Sequence, residues 1–302
     1  MVILNKAEKN LKKIKLSYAV DQKHWVGDGF HVYGLLRPTE DLNKYISPFV
    51  MMDYAPPKEF SKTNERRGVG EHPHRGFETV TFAYQGEIEH RDSSGGGGVI
   101  KPGDVQWMTA GRGVVHDEFH SVDFSKKGGV FEMVQLWINL PKKKKMTKPK
   151  YQELKSKYIP RINLGEGTEL RVIAGSYQGS KGPSSTFTAI NIYDIISKNS
   201  KNISLNFRNN TNTIILIMSG ELQIENKNFK EINILIFEQD GENINCKISK
   251  DFKGLILNSE PINEPIISHG PFVMNTKQEI LEAIEDFENG KMGNLLLKYR
   301  KL

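Results

Sequence analysis

The sequence predicts an all-β protein built from two barrel or sandwich domains, and three observations carry that reading. Apolar side chains alternate with polar ones over short runs, as in Thr79-Val-Thr-Phe-Ala-Tyr84, where Val80, Phe82 and Tyr84 share one face. Glycine-bearing turns punctuate these runs at spacings of about eight to twelve residues, the rhythm of a sandwich or barrel. The 302 residues exceed what one core usually holds, so two domains of about 150 residues follow, drawn here as 1–150 and 151–302. Met218-Ser-Gly-Glu-Leu222 also parallels Tyr84-Gln-Gly-Glu-Ile88, which points to an internal duplication.

Residues 15–38 read as alternating strand broken by glycines, with Val32, Leu35 and Leu36 as core residues. An apolar stretch over 46–54 ends at Pro56-Pro57, which cannot continue a central strand. A charged loop over 65–70 leads to the strand ending at Tyr84, and Gln85-Gly86 turns the chain into Glu87-Ile-Glu-His90 as a hairpin. Ser93-Ser-Gly-Gly-Gly-Gly98 lacks the Gly-Lys-Ser/Thr ending of a phosphate loop and has no apolar helix behind it. It reads as a flexible loop joining two strands. Lys101-Pro-Gly-Asp104 is a turn, Val105-Gln-Trp-Met108 a strand, and Gly111-Arg-Gly113 a reversal. Residues 130–140 close the first unit, and a linker over 141–160 carries a short helical piece at 151–157. Further strands fall at 169–174, 186–196, 213–218, 220–225, 232–238 and 254–257. Thr276-Lys-Gln-Glu279 is a capping box that opens a helix with Ile280, Ile284 and Phe287 on its core face. Gly290 stands where its C-terminal cap belongs.

Composition narrows the function classes. Apolar content of 37% with 9% aromatics supports packed cores rather than disorder. No apolar run reaches the length of about eighteen residues that a transmembrane helix needs, so no membrane association is expected. The N-terminus lacks the apolar segment of a secretory signal, and the single cysteine, Cys246, excludes an intramolecular disulfide and a thiolate zinc cluster. A reducing, cytoplasmic location is the expectation. Much of the net charge of +6 comes from Lys142-Lys-Lys-Lys145 with Lys148 and Lys150. That run has no interleaved aromatics for base stacking and reads as a solvated connector, so no direct nucleic-acid binding is expected.

The chemistry concentrates in two stretches. His72 and His74 stand one residue apart on an extended chain and so project to the same side. His116 and Glu118 repeat that spacing. Brought together across a barrel, the two pairs offer three imidazoles and one carboxylate, a donor set suited to a divalent transition metal. Histidines are also common as surface groups or satisfied core groups, and spacing alone leaves that reading open.

The run from His72 to His120 resembles the pirin family, a branch of the cupin superfamily. The resemblance rests on His72-Pro-His-Arg-Gly-Phe-Glu-Thr79, on Lys101-Pro-Gly-Asp-Val-Gln-Trp-Met-Thr-Ala-Gly-Arg-Gly113 and on His116 to Glu118. It continues through Gln135-Leu-Trp-Ile-Asn-Leu-Pro141 and Glu264-Pro-Ile-Ile-Ser-His-Gly-Pro-Phe-Val-Met-Asn-Thr276, and so covers nearly the whole chain. It implies a bicupin, two β-barrel or jelly-roll domains with a short C-terminal helix. Residues 1–150 would carry the metal site and 151–302 would carry none, since the second copy has only His269. By the same resemblance the ligands are His72, His74, His116 and Glu118, holding one divalent metal per chain. Fe(II) is the expected ion, although nickel, copper and zinc tolerate the same donors.

Pirins resemble flavonol-cleaving cupin dioxygenases of the quercetin 2,3-dioxygenase type. The resemblance therefore implies an oxidoreductase that binds the 3-hydroxyl of a flavonol such as quercetin, adds dioxygen and expels carbon monoxide. Glu118 would then be a catalytic proton acceptor as well as a ligand. The alternative is a non-catalytic, metal-dependent protein, either a transcription-cofactor type that binds a protein partner or a small-molecule sensor. Two positions depart from the wider cupin pattern. Glu78 occupies the place of the usual acidic ligand and is read instead as orienting an imidazole N–H or Arg75. His120 stands where asparagine is usual and is read as an exposed loop residue near the site.

Overall fold

The computed structural model describes residues 10–295, which fall into two units, each drawn from three stretches of chain. One comprises residues 22–37, 49–156 and 263–295; the other comprises 10–21, 38–48 and 157–262. A single cut near residue 150 does not describe this exchange of end segments, which depends on long-range pairing such as that of Ile14–Tyr18 with Ile234–Phe237.

In the first unit a seven-stranded sheet takes the order Lys150–Leu154, Val105–Thr109, Phe77–Gln85, Gly129–Asn139, Phe49–Phe60, Phe30–Leu36, Lys23–Val26. A four-stranded sheet takes the order Gly68–His74, Val114–His120, Ile88–Asp92, Gly97–Ile100. Phe30, Val32, Ala55, Ala83, Phe131 and Met133 of the large sheet pack on Ile88 and Ile100 of the small one. The two sheets thus share an interior, and the period-two alternation of each strand decides which side chains enter it.

Several local expectations need correction. Phe49–Phe60 runs through Pro56 and Pro57. These two prolines stand opposite the single Glu132, in a register shift between Phe131 and Met133, while Phe30–Leu36 is paired only as far as Tyr54. Proline's missing N–H therefore breaks no ladder there. Residues 150–154 are a strand, not a helix, because they pair with Val105–Thr109 and form the edge of the sheet; pairing overrides local propensity. Lys142–Lys144 form one turn of 3₁₀ helix, but Lys145 is buried. Its ammonium donates to the carbonyls of Gly76 (2.9 Å) and Val273 (2.7 Å) and to Asn139 Oδ1 (2.6 Å).

The helix Lys277–Glu288 starts at Thr276 with the capping box in place. Its buried stripe is Ile280 and Ala283, with Ile284 beside them, packed on Val115, Phe272 and Met274. Phe287, expected on that face, is 39% exposed because the stripe ends a turn earlier. No helix among the described residues is long and apolar enough to cross a membrane.

The second unit repeats the plan. Its large sheet takes the order Ile14–Tyr18, Ile234–Phe237, Asn212–Ser219, Lys253–Ser259, Ile190–Ser197, Thr168–Ala174, Arg161–Gly165. Its small sheet takes the order Lys201–Asn206, Asn243–Ile248, Leu222–Ile224, Lys227–Phe229. The parallel peptides of the sequence occupy equivalent turns, with Gly86 at φ 78° and Gly220 at φ 74°, values that favour glycine. Each carries the chain from the large sheet to the small one, so the hairpin expected at Gln85-Gly86 is instead a crossing between sheets. Lys201–Asn206 and Asn243–Ile248 hold the places of Gly68–His74 and Val114–His120. Their inward residues Ile203, Leu205, Ile244 and Cys246 belong to a closed apolar core.

Candidate metal centre

Three histidines converge because two neighbouring strands place them in register. Gly68–His74 pairs antiparallel with Val114–His120, setting His72 opposite His116 and His74 opposite Val114. The ligand nitrogens of His72, His74 and His116 lie within 4.8 Å of one another. Their ring centroids are 4.2 Å apart for His72–His116 and 4.8 Å for the other two pairs.

Hydrogen bonds assign the ring nitrogens. His72 Nδ1 lies 2.7 Å from the Gly70 carbonyl, and His74 Nδ1 lies 3.3 Å from the Pro271 carbonyl. A carbonyl only accepts, so each Nδ1 carries the proton and Nε2 keeps a lone pair. His116 Nε2 is buried with no hydrogen-bond partner. An orphaned, buried nitrogen beside two lone-pair nitrogens is what a cation site requires, and the donor set fits a divalent transition metal. Burial, reinforced by the neighbouring His72, holds His74 and His116 well below the usual imidazole range, so both stay neutral as ligands must.

Glu118 follows a register shift after His116. Its carboxylate groups with His90 and His116 rather than with His72 and His74. It is held by donors on three sides: Thr81 Oγ1 at 3.2 Å, Gln106 Nε2, and Gln135 Nε2 at 3.1 Å. A carboxylate has about four lone-pair sites, so these bonds leave capacity for a further partner. A cavity of about 110 Å³ opens over His72, His74 and Glu118, walled by Val32, Met51, Met133 and Trp137. The Trp137 ring meets His74 edge-on at 5.0 Å.

Glu78 lies elsewhere. It is buried and accepts a 2.6 Å hydrogen bond from Thr109, not from an imidazole, and Arg75 bonds instead to the Arg112 carbonyl and Asp286. The cause is strand parity: Thr81 faces Glu118, so Glu78 turns with Val80 and Phe82 to the opposite face. Burial pushes the Glu78 carboxyl up to about 7 despite the Thr109 bond. His120 is also not an exposed loop residue. It ends its strand, is 2% exposed, stacks on Phe131 and places Nε2 2.9 Å from the Gly29 carbonyl. Burial pulls it down to about 4.

One participant was missed. His90, fully buried on Ile88–Asp92, sets its Nδ1 3.3 Å from His116 Nδ1 and 3.9 Å from Glu118 Oε1. Burial lowers its basicity, but Asp92 and Glu118 more than offset that, and the group titrates above its ordinary value. The available signal was His90-Arg-Asp92, a third pair of ligand-type residues one residue apart on a strand.

Known proteins resemble this chain over most of its length. The family model described as Pirin matches residues 30–138, and the model for the Pirin C-terminal cupin domain matches residues 192–293. A Pseudomonas aeruginosa protein that carries the provisional name quercetin 2,3-dioxygenase is 45% identical over 282 residues, 93% of this chain and 98% of that protein. Pirin of Rattus norvegicus is 36% identical over 256 residues, 83% of this chain and 84% of its own. The crystal structure of a quercetin 2,3-dioxygenase from Acinetobacter baumannii matches with a TM-score of 0.91 at 49% identity. The match covers 95% of this chain and all of that one, 100%.

Proposed function

This chain belongs to the pirin family, and from that premise we propose that it is a mononuclear metal-dependent dioxygenase that opens a flavonol-type ring. The observation that carries the reading is the orphaned Nε2 of His116 beside His72 and His74, which line a cavity with apolar walls. His72, His74 and His116 would hold the ion, with Glu118 as the fourth ligand, and Fe(II) is the ion assigned. A bound divalent ion would supply Lewis acidity and electron exchange with dioxygen, which no side chain here offers.

The remaining roles fall to the chain itself. Glu118 accepts the proton of the substrate's enolic hydroxyl. Thr81, Gln106 and Gln135 fix its carboxylate for that transfer. Val32, Met51, Met133 and Trp137 exclude bulk water from the reacting edge. At about 110 Å³ the cavity is smaller than the roughly 300–1,000 Å³ usual for ligand sites, so the chelating edge enters while the rest of the substrate lies at the mouth.

The same small volume favours one second reading, a metal-dependent sensor or protein-binding cofactor that uses the ligands without turnover. Anaerobic metal analysis followed by oxygen-electrode assay with quercetin separates the two, with His74→Ala as control. About one metal per chain, with oxygen uptake that the variant abolishes, supports the dioxygenase. Metal without uptake moves the assignment to the sensor or cofactor class. No metal after reconstitution with Fe(II) removes the premise of both.

A further inference from the structure

We infer that His90 is a positioning residue for the metal ligand His116, and that the glycine-rich hairpin after it exists to hold the carboxylate that aims His90. The inference rests on the metal-centre reading above but not on dioxygenase activity.

The chain of contacts begins at His116. To bind a cation through its orphaned Nε2, this imidazole must carry its proton on Nδ1, and a buried N–H needs an acceptor. His90 Nδ1 lies 3.3 Å away and is the ring nitrogen placed to accept it. His90 must then be neutral, the state that a cation held by His116 would favour, with its proton on Nε2, which faces Asp92 Oδ2 at 3.4 Å. Asp92 is fixed in turn: its Oδ1 accepts from Ser94 N (2.8 Å), Ser94 Oγ (2.6 Å) and Gly96 N (3.0 Å). The ring of His90 stacks on Tyr151 at 5.0 Å, which sets its plane. The result is a carboxylate–histidine–histidine line that ends at the metal position, an extended form of the carboxylate–histidine–metal arrangement that orients ligands elsewhere.

The same line accounts for the run Ser93 to Gly98, which the site chemistry had left unused. A Cβ on Gly96 would stand 2.4 Å from Asp92 Oδ2 and 2.6 Å from Tyr151 Cβ; one on Gly97 would stand 2.5 Å from the His90 carbonyl oxygen. These glycines are the space in which the Asp92–His90 pair sits. The loop is therefore a buckle between Ile88–Asp92 and Gly97–Ile100 rather than a slack connector.

Two substitutions at one position test this with Co(II) as the probe, using the whole chain. His90→Phe keeps ring volume and the stack on Tyr151 but removes both nitrogens. His90→Asn loses the ring but returns an acceptor near the place of Nδ1. Positioning predicts that His90→Phe weakens Co(II) affinity by about 10- to 100-fold and alters the Co(II) absorption spectrum, while His90→Asn stays within several-fold of wild type. A packing role predicts the reverse order, and that result would overturn the inference. X-ray absorption of the Co(II) forms should count the same number of imidazoles in wild type and His90→Asn. One fewer would make His90 a ligand and sink the positioning role. Should His90→Phe not fold, Gly96→Ala displaces Asp92 from outside the line, and unchanged affinity and spectrum there would equally refute it. A wild-type chain that binds no Co(II) would overturn the metal centre itself, an outcome distinct from all of these.

Discussion

Replacing Glu78 by glutamine separates the two acidic residues that compete for the role of fourth ligand. Glu78 is 1% exposed, and burial raises its carboxyl from 4.5 to about 7. Between those values the folded chain holds a proton that the unfolded chain has released. Stability therefore falls as pH rises through that window, and the cost is complete above it. At about 1.4 kcal/mol per pH unit the penalty is about 3.5 kcal/mol, a ceiling because the protein relaxes around the charge. Glu78→Gln keeps an acceptor for Thr109 and cannot ionise. Denaturant titration should show the variant more stable than wild type by about 2–3 kcal/mol near pH 8 and little changed near pH 5. Metal content should be unaffected, whereas Glu118→Gln should lower it. Loss of metal in Glu78→Gln, or equal stability near pH 8, would refute the placement of this carboxyl outside the centre.

Two further outcomes follow from buried cations and neutral bases. Lys145→Met leaves the Gly76 and Val273 carbonyls and Asn139 Oδ1 without their donor; at about 1–3 kcal/mol for each orphaned group, a loss of at least about 3 kcal/mol is expected in chemical denaturation. His120 is held neutral down to about 4, against 6.5 ordinarily, so the unfolded chain takes up the proton first and stability is lost as pH falls through that window. A His120→Leu variant pays for the lost Gly29 bond at every pH, but its stability should vary less between about pH 6.5 and 4 than that of wild type.

The parts of the centre that were legible in the sequence are those fixed by period two. His72 with His74, and His116 with Glu118, declare their shared faces within three residues, and the capping box at Thr276 and Glu279 is equally local. The same parity already contained the answer for Glu78, since Val80 and Phe82 set its face; the family position overrode it. His90 was hidden because its partner stands diagonally across a strand pair, with Glu118 directly opposite and His116 two residues before it. His120 was misread because its aromatic neighbours Phe30, Phe60 and Phe131 come from distant strands. Lys201–Asn206 and Asn243–Ile248 went unrecognised as strands because Asn, Lys and Ser surround their few apolar residues. Only the pairing of the two, Ile203 with Cys246 and Leu205 with Ile244, reveals their alternation.

Those two strands explain why one scaffold serves two ends. In the second unit the places of the ligand strands are filled by Ile203, Leu205, Ile244 and Cys246, whose burial stabilises a closed core without any ion. In the first unit the equivalent strands bring three imidazoles together, of which His74 and His116 are buried and pushed far from protonation by desolvation. On the metal-centre reading such a cluster costs free energy until a cation satisfies it, and the stability of this unit should then depend on occupancy while that of the other should not. At a free-metal concentration of about 1,000 times the dissociation constant, binding adds about 4 kcal/mol to the unit that holds the ion. Chelation should therefore speed amide hydrogen exchange in Val114–His120 and Gly68–His74 while leaving Asn243–Ile248 and Lys201–Asn206 near their original rates. Equal acceleration in both sheets would show that the two units share one cooperative transition, and unchanged rates in both would show that His74 and His116 do not need the ion to stay buried.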